Sequence, residues 1–356
     1  MKKYQIAVVG SSPILMIKAI QQQLLGNDTV LYEKESFLGG AWCTGYRFGR
    51  HIDNGAHFLY YSKDLLRFKG FLNANYSLDL KRLSHRPRGD SRLFFDFPEF
   101  SFHSTHENFY KKFLRYIDFS RFKRVIHGLT CRNPYYYFNH GTIGLIQRLE
   151  ALYLSLGGTI KTNSLVKEIS ITTSGNGNVL LSISDQRHFS EKLIISSRAL
   201  LMPNTISIDS QPYQFTNLDS GSSLTQIFLL ISEPGPIKFS AFKFIDPIIF
   251  IAVDSRAFMN EHQDNLNEAV FIFALNKNIS HNLIDYNYLL KALMDRKLIS
   301  KSSKIKEVQH HEDDIINVCP SQITSFNNIK NNPVEIVFYN NLSNELAKLY
   351  KFNNLK

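Results

Sequence analysis

Near the start of the chain a glycine, a serine and a glutamate stand at intervals suited to gripping a phosphorylated nucleotide. Gly10 ends the β-branched run Ile6-Ala7-Val8-Val9, Ser12 follows two residues later, and Glu33 closes the next apolar run. A glycine where a strand turns into a helix brings the helix amides and their dipole to bear on a phosphate. A carboxylate at the end of the following strand can accept hydrogen bonds from ribose hydroxyls. Ser12 stands where G-x-G-x-x-G has its second glycine; serine is small, and its hydroxyl can hydrogen-bond a phosphate. Leu15 stands where the third small residue lets helix and strand pack closely, so its bulk predicts a helix pushed outward or reoriented.

Positioning these residues requires a βαβ unit: a strand at Ile6–Val9, an amphipathic helix, and a strand ending on Glu33. Seven of the 18 glycines precede residue 60 and none follows Gly235. The first region therefore has the sharp turns and close backbone approaches of a nucleotide site. Leu145 to Tyr153 has apolar residues at helical spacing and is stopped by Gly157-Gly158. Thr159–Lys161 and Leu165–Ile171 read as strands, and Val179–Ser184 with Lys192–Ser196 as a hairpin around Asp185-Gln186. Further strands are expected at Leu224–Ile231, Ile248–Val253, Ala269–Leu275 and Val334–Tyr339, with helices at about Tyr286–Arg296 and Ser343–Tyr350.

Three further segments carry a family likeness. Leu38-Gly39-Gly40-Ala41-Trp42 follows the acidic strand end at once. Asp53-Asn54-Gly55-Ala56-His57-Phe58 comes next. Asn139-His140-Gly141-Thr142-Ile143-Gly144-Leu145 then leads through Gly157-Gly158-Thr159-Ile160 to Val166-Lys167-Glu168-Ile169. In this order they make the chain similar to the flavin-containing amine-oxidase superfamily, which includes protoporphyrinogen oxidase, phytoene desaturase and UDP-galactopyranose mutase. The resemblance implies FAD held by Gly10, Ser12, Glu33, Gly39, Gly40, Trp42, Gly55, Ala56 and, through its backbone at the adenine, Val166. It places His57 near the flavin ring as the candidate catalytic residue; a histidine satisfied by backbone is the structural alternative. Two features depart from the family pattern. The arginine often found after the Gly-Gly turn is replaced by Ala41 and Trp42, and the C-terminal Gly-Asp loop has no glycine available at Glu335–Ser343.

Composition narrows the classes. A chain of 356 residues with 44% hydrophobic and 20% charged residues is that of a folded globular protein large enough for two packed units. No apolar run approaches the roughly 18 to 20 residues of a membrane-spanning helix, and Lys2-Lys3 before Ile6–Val9 reads as a first strand rather than a signal peptide. Cys43, Cys131 and Cys319 are too few and too scattered for a disulfide framework or a zinc site, and a cytoplasmic setting is expected. His310-His311 beside Glu312-Asp313-Asp314 point to opposite sides of an extended chain, so no metal is expected there. The net charge of +10 is concentrated in part at Lys81–Arg92, which suits an anionic partner but is also what a solvated basic loop looks like. No nucleic-acid-binding signature accompanies it.

The expected architecture is α/β. A Rossmann-like FAD-binding unit (1–62 and about 136–200) interleaves with a mixed or antiparallel substrate domain (about 201–333). A helical aromatic and basic insertion spans about 63–135, and a strand and helix close the chain at 334–356. The expected activity is transfer of a hydride from a small-molecule substrate, anionic or nucleotide-linked, to flavin. The alternatives are a UDP-sugar mutase-like flavoenzyme without net redox and a degenerate, non-catalytic binding or scaffold protein.

Overall fold

The computed structural model describes residues 3–54, 59–60, 80–82, 135–138, 141–175, 177–184, 186–216, 218–219, 223–232, 249–254, 268–275, 284–295, 299–314, 317–318 and 320–337. The chain opens with β1 (Lys3–Val9), α1 (Pro13–Leu24) and β2 (Thr29–Tyr32), followed by the hairpin β3 (Thr44–Arg47) and β4 (Arg50–Asp53). A small sheet unites β5 (Leu59–Tyr60), β6 (Leu80–Arg82) and β7 (Tyr135–Phe138). Next come α2 (Gly141–Ser155), β8 (Thr159–Lys161), β9 (Val166–Thr172), β10 (Asn178–Ile183), β11 (Gln186–Ser196), β12 (Thr205–Ile208) and β13 (Gln211–Tyr213). The rest comprises β14 (Leu218–Asp219), β15 (Ser223–Ser232), β16 (Ile249–Asp254), β17 (Glu268–Leu275), α3 (Tyr286–Asp295), β18 (Lys304–Asp314), β19 (Asn317–Val318), α4 (Pro320–Asn327) and β20 (Val334–Val337).

The main sheet is α/β in character. Its parallel centre runs β11, β1, β2, β8, with β20 also parallel to β11. An antiparallel meander of β9, β10 and β11 extends it toward β12 and β13. β1 is hydrogen-bonded on both edges and covered on both faces, and accordingly its last four residues, Ile6 to Val9 inclusive, are all buried apolar side chains. One face carries α1 and α2, whose Ile14, Leu15, Ile17, Ile20, Leu145 and Leu149 form a core with Val8 and Leu31. The other face packs Ala7, Val9 and Tyr32 against meander residues such as Ile169 and Leu181 and against Ile323 and Phe326 of α4.

α1 begins with Pro13 in its first turn, where the missing N–H costs nothing, and ends before Gly26 at φ +86°. α2 is tied to the sheet by a buried hydrogen bond, 2.6 Å, between Tyr153 Oη and Thr29 Oγ1. Tyr153 lies over Gly158, whose lack of a side chain makes the room for its ring.

The second sheet is antiparallel, in the order β16, β17, β15, β18. Alternate residues of β15 face opposite ways. Ile227, Leu229 and Ile231 pack with Phe271 and Phe273 against Leu289 and Leu293 of α3, while Gln226, Phe228 and Leu230 look to the other side. β12, β13 and α4, although they lie beyond residue 200, join the main sheet and its core. The expected helix at Ser343–Tyr350 and the insertion, apart from its residues 80–82 and 135, lie outside the described residues.

Candidate functional site

Gly10 sits at the C-terminal end of β1, φ +101°, with its N–H donating to Tyr32 O at 2.8 Å. This is the end of a parallel sheet at which ligands bind in folds of this class. Ser12 is the N-cap of α1, yet its side chain makes no cap hydrogen bond. Its Oγ is buried without any partner, beside first-turn amides that a helix leaves unpaired. Leu15 packs where helix and strand meet. It is 1% exposed within the core, and its Cδ1 would lie 2.9 Å from a Cβ built on Gly10.

Ser11, to which the sequence assigns no role, is the hub of the site. Its hydroxyl donates to Glu33 Oε2 at 2.5 Å and accepts from Gly39 N–H at 2.9 Å, while Ser11 O also accepts from Gly39 N–H at 3.2 Å. Glu33 Oε1 accepts from Glu35 N–H at 3.0 Å, and Glu33 is 5% exposed. Glu33 O accepts from Ser164 N–H at 2.7 Å and Glu35 O from Asn163 N–H at 2.9 Å, which ties in the turn that leads to Val166. Gly10, Ser12, Glu33, Gly39 and the approach to Val166 therefore share one end of the sheet. The signal for Ser11 was its hydroxyl between two turn positions, one strand away from a lone carboxylate.

Gly39 and Gly40 both have positive φ, +116° and +55°, and a Cβ on Gly40 would lie 3.7 Å from the Ser12 backbone. Trp42 ends the 3₁₀ turn Gly40–Trp42 and packs, half-buried, against the α1–α2 core. Val166 is buried at the start of β9, in the core on the opposite face of the main sheet. Asp53 is occupied structurally: its carboxylate accepts from Thr142 N–H (3.2 and 3.1 Å), Thr142 Oγ1 (2.7 Å) and Thr44 Oγ1 (3.2 Å), so it caps the start of α2. Gly55, Ala56 and His57 lie outside the described residues, as does His140.

Beyond Asp53, Arg47 Nη1 donates to Asn54 Oδ1 at 2.6 Å, and Asn54 Nδ2 donates to Cys43 Sγ at 3.2 Å. Burial lowers the Arg47 pKa, against the opposing pull of Cys43. Burial raises the phenol of Tyr32, just before Glu33, far above its ordinary 10.0, and its Oη has no partner. On the opposite face of the second sheet from Gln226, His310 Nε2 meets Tyr286 Oη at 2.9 Å. Its neighbour His311 stands in register opposite Gln226. Among the described residues, no group of three or more His, Cys, Asp or Glu could hold a metal ion, and no helix is long and apolar enough to cross a membrane.

No family model matches the chain, and no curated protein matches its sequence. Solved structures do match, over nearly the whole length. Wild-type putrescine oxidase bound to putrescine is 11% identical with a TM-score of 0.63, over 99% of each chain. A protein from Exiguobacterium assigned as a protoporphyrinogen oxidase is 12% identical with a TM-score of 0.63, over 100% of this chain and 99% of that one. A Rab GDI from Plasmodium falciparum is 10% identical with a TM-score of 0.57, over 99% and 98%. At such identities the likeness is one of fold, and the fold is shared by proteins with oxidoreductase names and by proteins without.

Proposed function

On a fold shared with FAD-binding proteins of the amine-oxidase type, we propose that the chain is a flavin-dependent oxidoreductase. The observation that carries this reading is the orphan Ser12 hydroxyl at the N-terminus of α1, buried beside unpaired helix amides. A phosphate oxygen satisfies both at once. Ser12, with Gly10, Gly39 and Gly40 giving close backbone approach, would hold the pyrophosphate of FAD. Glu33, with two of the roughly four acceptor sites of a carboxylate still open, would take the ribose, and the backbone of Val166 the adenine. When bound, the flavin would supply acceptance of a hydride from a small-molecule substrate. The protein's own part is to bind, orient and exclude water. In this reading the main sheet holds the dinucleotide, and the antiparallel sheet of β15 to β18 belongs to the substrate domain.

The test is the visible spectrum of the purified protein before and after incubation with FAD, for the wild type and Ser12→Val. Bound yellow flavin in the wild type, at least tenfold weaker in the variant, is the expected result. A colourless wild-type protein that takes up no FAD overturns the reading.

One observation favours a second reading, a non-catalytic binding protein on the same fold. Glu33 is already engaged by Ser11 and Glu35 and is almost wholly enclosed. In that case the Ser11–Glu33–Gly39 knot is a structural clasp in place of a ribose site, and Ser11→Ala destabilises the fold without altering any FAD affinity.

A further inference from the structure

Gln226, on β15, is 7% exposed, and its Oε1 is buried with no hydrogen-bond partner. A buried acceptor of this kind destabilises the fold in the absence of a donor. Two residues along the same face of the strand, Phe228 carries the Arg47 guanidinium, whose Cζ stands 4.2 Å from the ring centroid. The guanidinium is held deliberately in place. Nη1 is fixed by Asn54, and a side chain on Gly45 would collide with it, so the hairpin leaves this position bare. Of the five N–H donors of an arginine, the hydrogen bond to Asn54 uses one. A held cation with spare donors, seated on Phe228, and an orphan acceptor on Gln226 thus belong to one face of β15, on side chains whose Cα atoms are about 7 Å apart.

From this pairing we infer that Arg47 and Gln226 form a binding site for a small organic acid that also carries a hydroxyl or ammonium group. The carboxylate pairs with Arg47, which presents planar, fork-shaped donors. The hydroxyl or ammonium group donates to Gln226 Oε1. Phe228, under the guanidinium, and its in-register neighbour Ile272 are buried apolar side chains of the same sheet face. The site needs no dinucleotide, so it stands or falls separately from the flavin reading.

Calorimetric titration of the purified full-length chain with 4-hydroxybutyrate, γ-aminobutyrate, butyrate and butylamine tests it. The two bifunctional acids are expected to bind at least tenfold more tightly than butyrate or butylamine. Arg47→Met and Gln226→Leu are each expected to reduce that binding at least tenfold. Without ligand, Gln226→Leu is expected to melt at a higher temperature than the wild type, because an unsatisfied buried group has been removed. Should Gln226→Leu not fold, Gln226→Met, which keeps the length of the side chain, serves the same comparison. Absence of binding by both bifunctional acids overturns the inference, as does binding that survives the loss of the Gln226 carboxamide.

Discussion

The Leu15 side chain occupies the space left bare by Gly10: its Cδ1 would stand 2.9 Å from a β-carbon at that position. Strand turn and helix start are fitted to each other as a glycine against a leucine. Gly10→Ala should therefore cost more than the strain of an alanine at φ +101° alone. We expect a loss of about 3 kcal/mol or more in denaturant unfolding. Adding Leu15→Ala to Gly10→Ala should cost less than the sum of the two single changes, because the clash goes with the leucine. Strict additivity in this cycle would disprove the fit.

Asp53 links the β3–β4 hairpin to the start of α2, accepting from the Thr142 backbone and hydroxyl. Asp53→Ala should lower stability by about 2–3 kcal/mol, the sum of a lost helix cap and buried donors left without a partner. Asp53→Asn, which keeps an acceptor but loses the charge at the helix N-terminus, should fall between the two. Equal stability of all three proteins by thermal unfolding would refute this role.

Glu335 is held between Lys18 (3.1 Å) and Lys192 (2.6 Å). Burial would raise its carboxyl, but the hydrogen bonds and charges of the two lysines prevail and hold it below its ordinary 4.5. A depressed carboxyl stabilises the folded state at pH values above the unfolded value of 4.5, and that contribution fades as pH falls through the lower folded value. The gap in stability between wild type and Glu335→Gln should be constant from pH 6 to 8 and shrink below about pH 4.5. A gap that is flat to pH 3 in chemical unfolding curves contradicts the assignment.

Gly157 and Gly158 predict different penalties. Gly157 has φ +91° with open space around it, so Gly157→Ala should cost about 1 kcal/mol of backbone strain. Gly158 lies under the ring of Tyr153, which cannot retreat without breaking its bond to Thr29. Gly158→Ala should cost about twice as much or more, and Tyr153→Leu should remove most of that excess. A smaller loss for Gly158→Ala than for Gly157→Ala in equilibrium unfolding would count against the packing described.

Much of the fold was legible in local pattern. The β-branched run ending at Gly10, the helix stopped at Gly157 and the strands at 159–161 and 269–275 follow from periodicity and turn residues. β18 did not declare itself, since Lys304 to Asp314 is mostly charged and polar. Its strand state comes from pairing with β15, which supplies the apolar side chains. α4 was hidden in the same way, because only Ile323 and Phe326 join the core while Pro, Ser, Gln, Thr and Asn make up the rest. In the site, the positions of Gly10, Ser12 and Glu33 followed from spacing. The bond between Ser11 and Glu33 joins residues of two strand ends, and the Asp53 cap spans 89 residues; no local pattern encodes either.

The parallel pairing of β20 with β11 has a consequence for how the chain must be made. Leu193 to Ser196 need Val334 to Val337 on their outer edge, and all four strands of the second sheet are translated between the two. While the ribosome works through those residues, a largely apolar edge at the heart of the first unit lies bare and competent to pair with another chain. Nascent protein is thus exposed to aggregation until its closing strand emerges, and truncation just before Val334 should leave a product that chaperones retain.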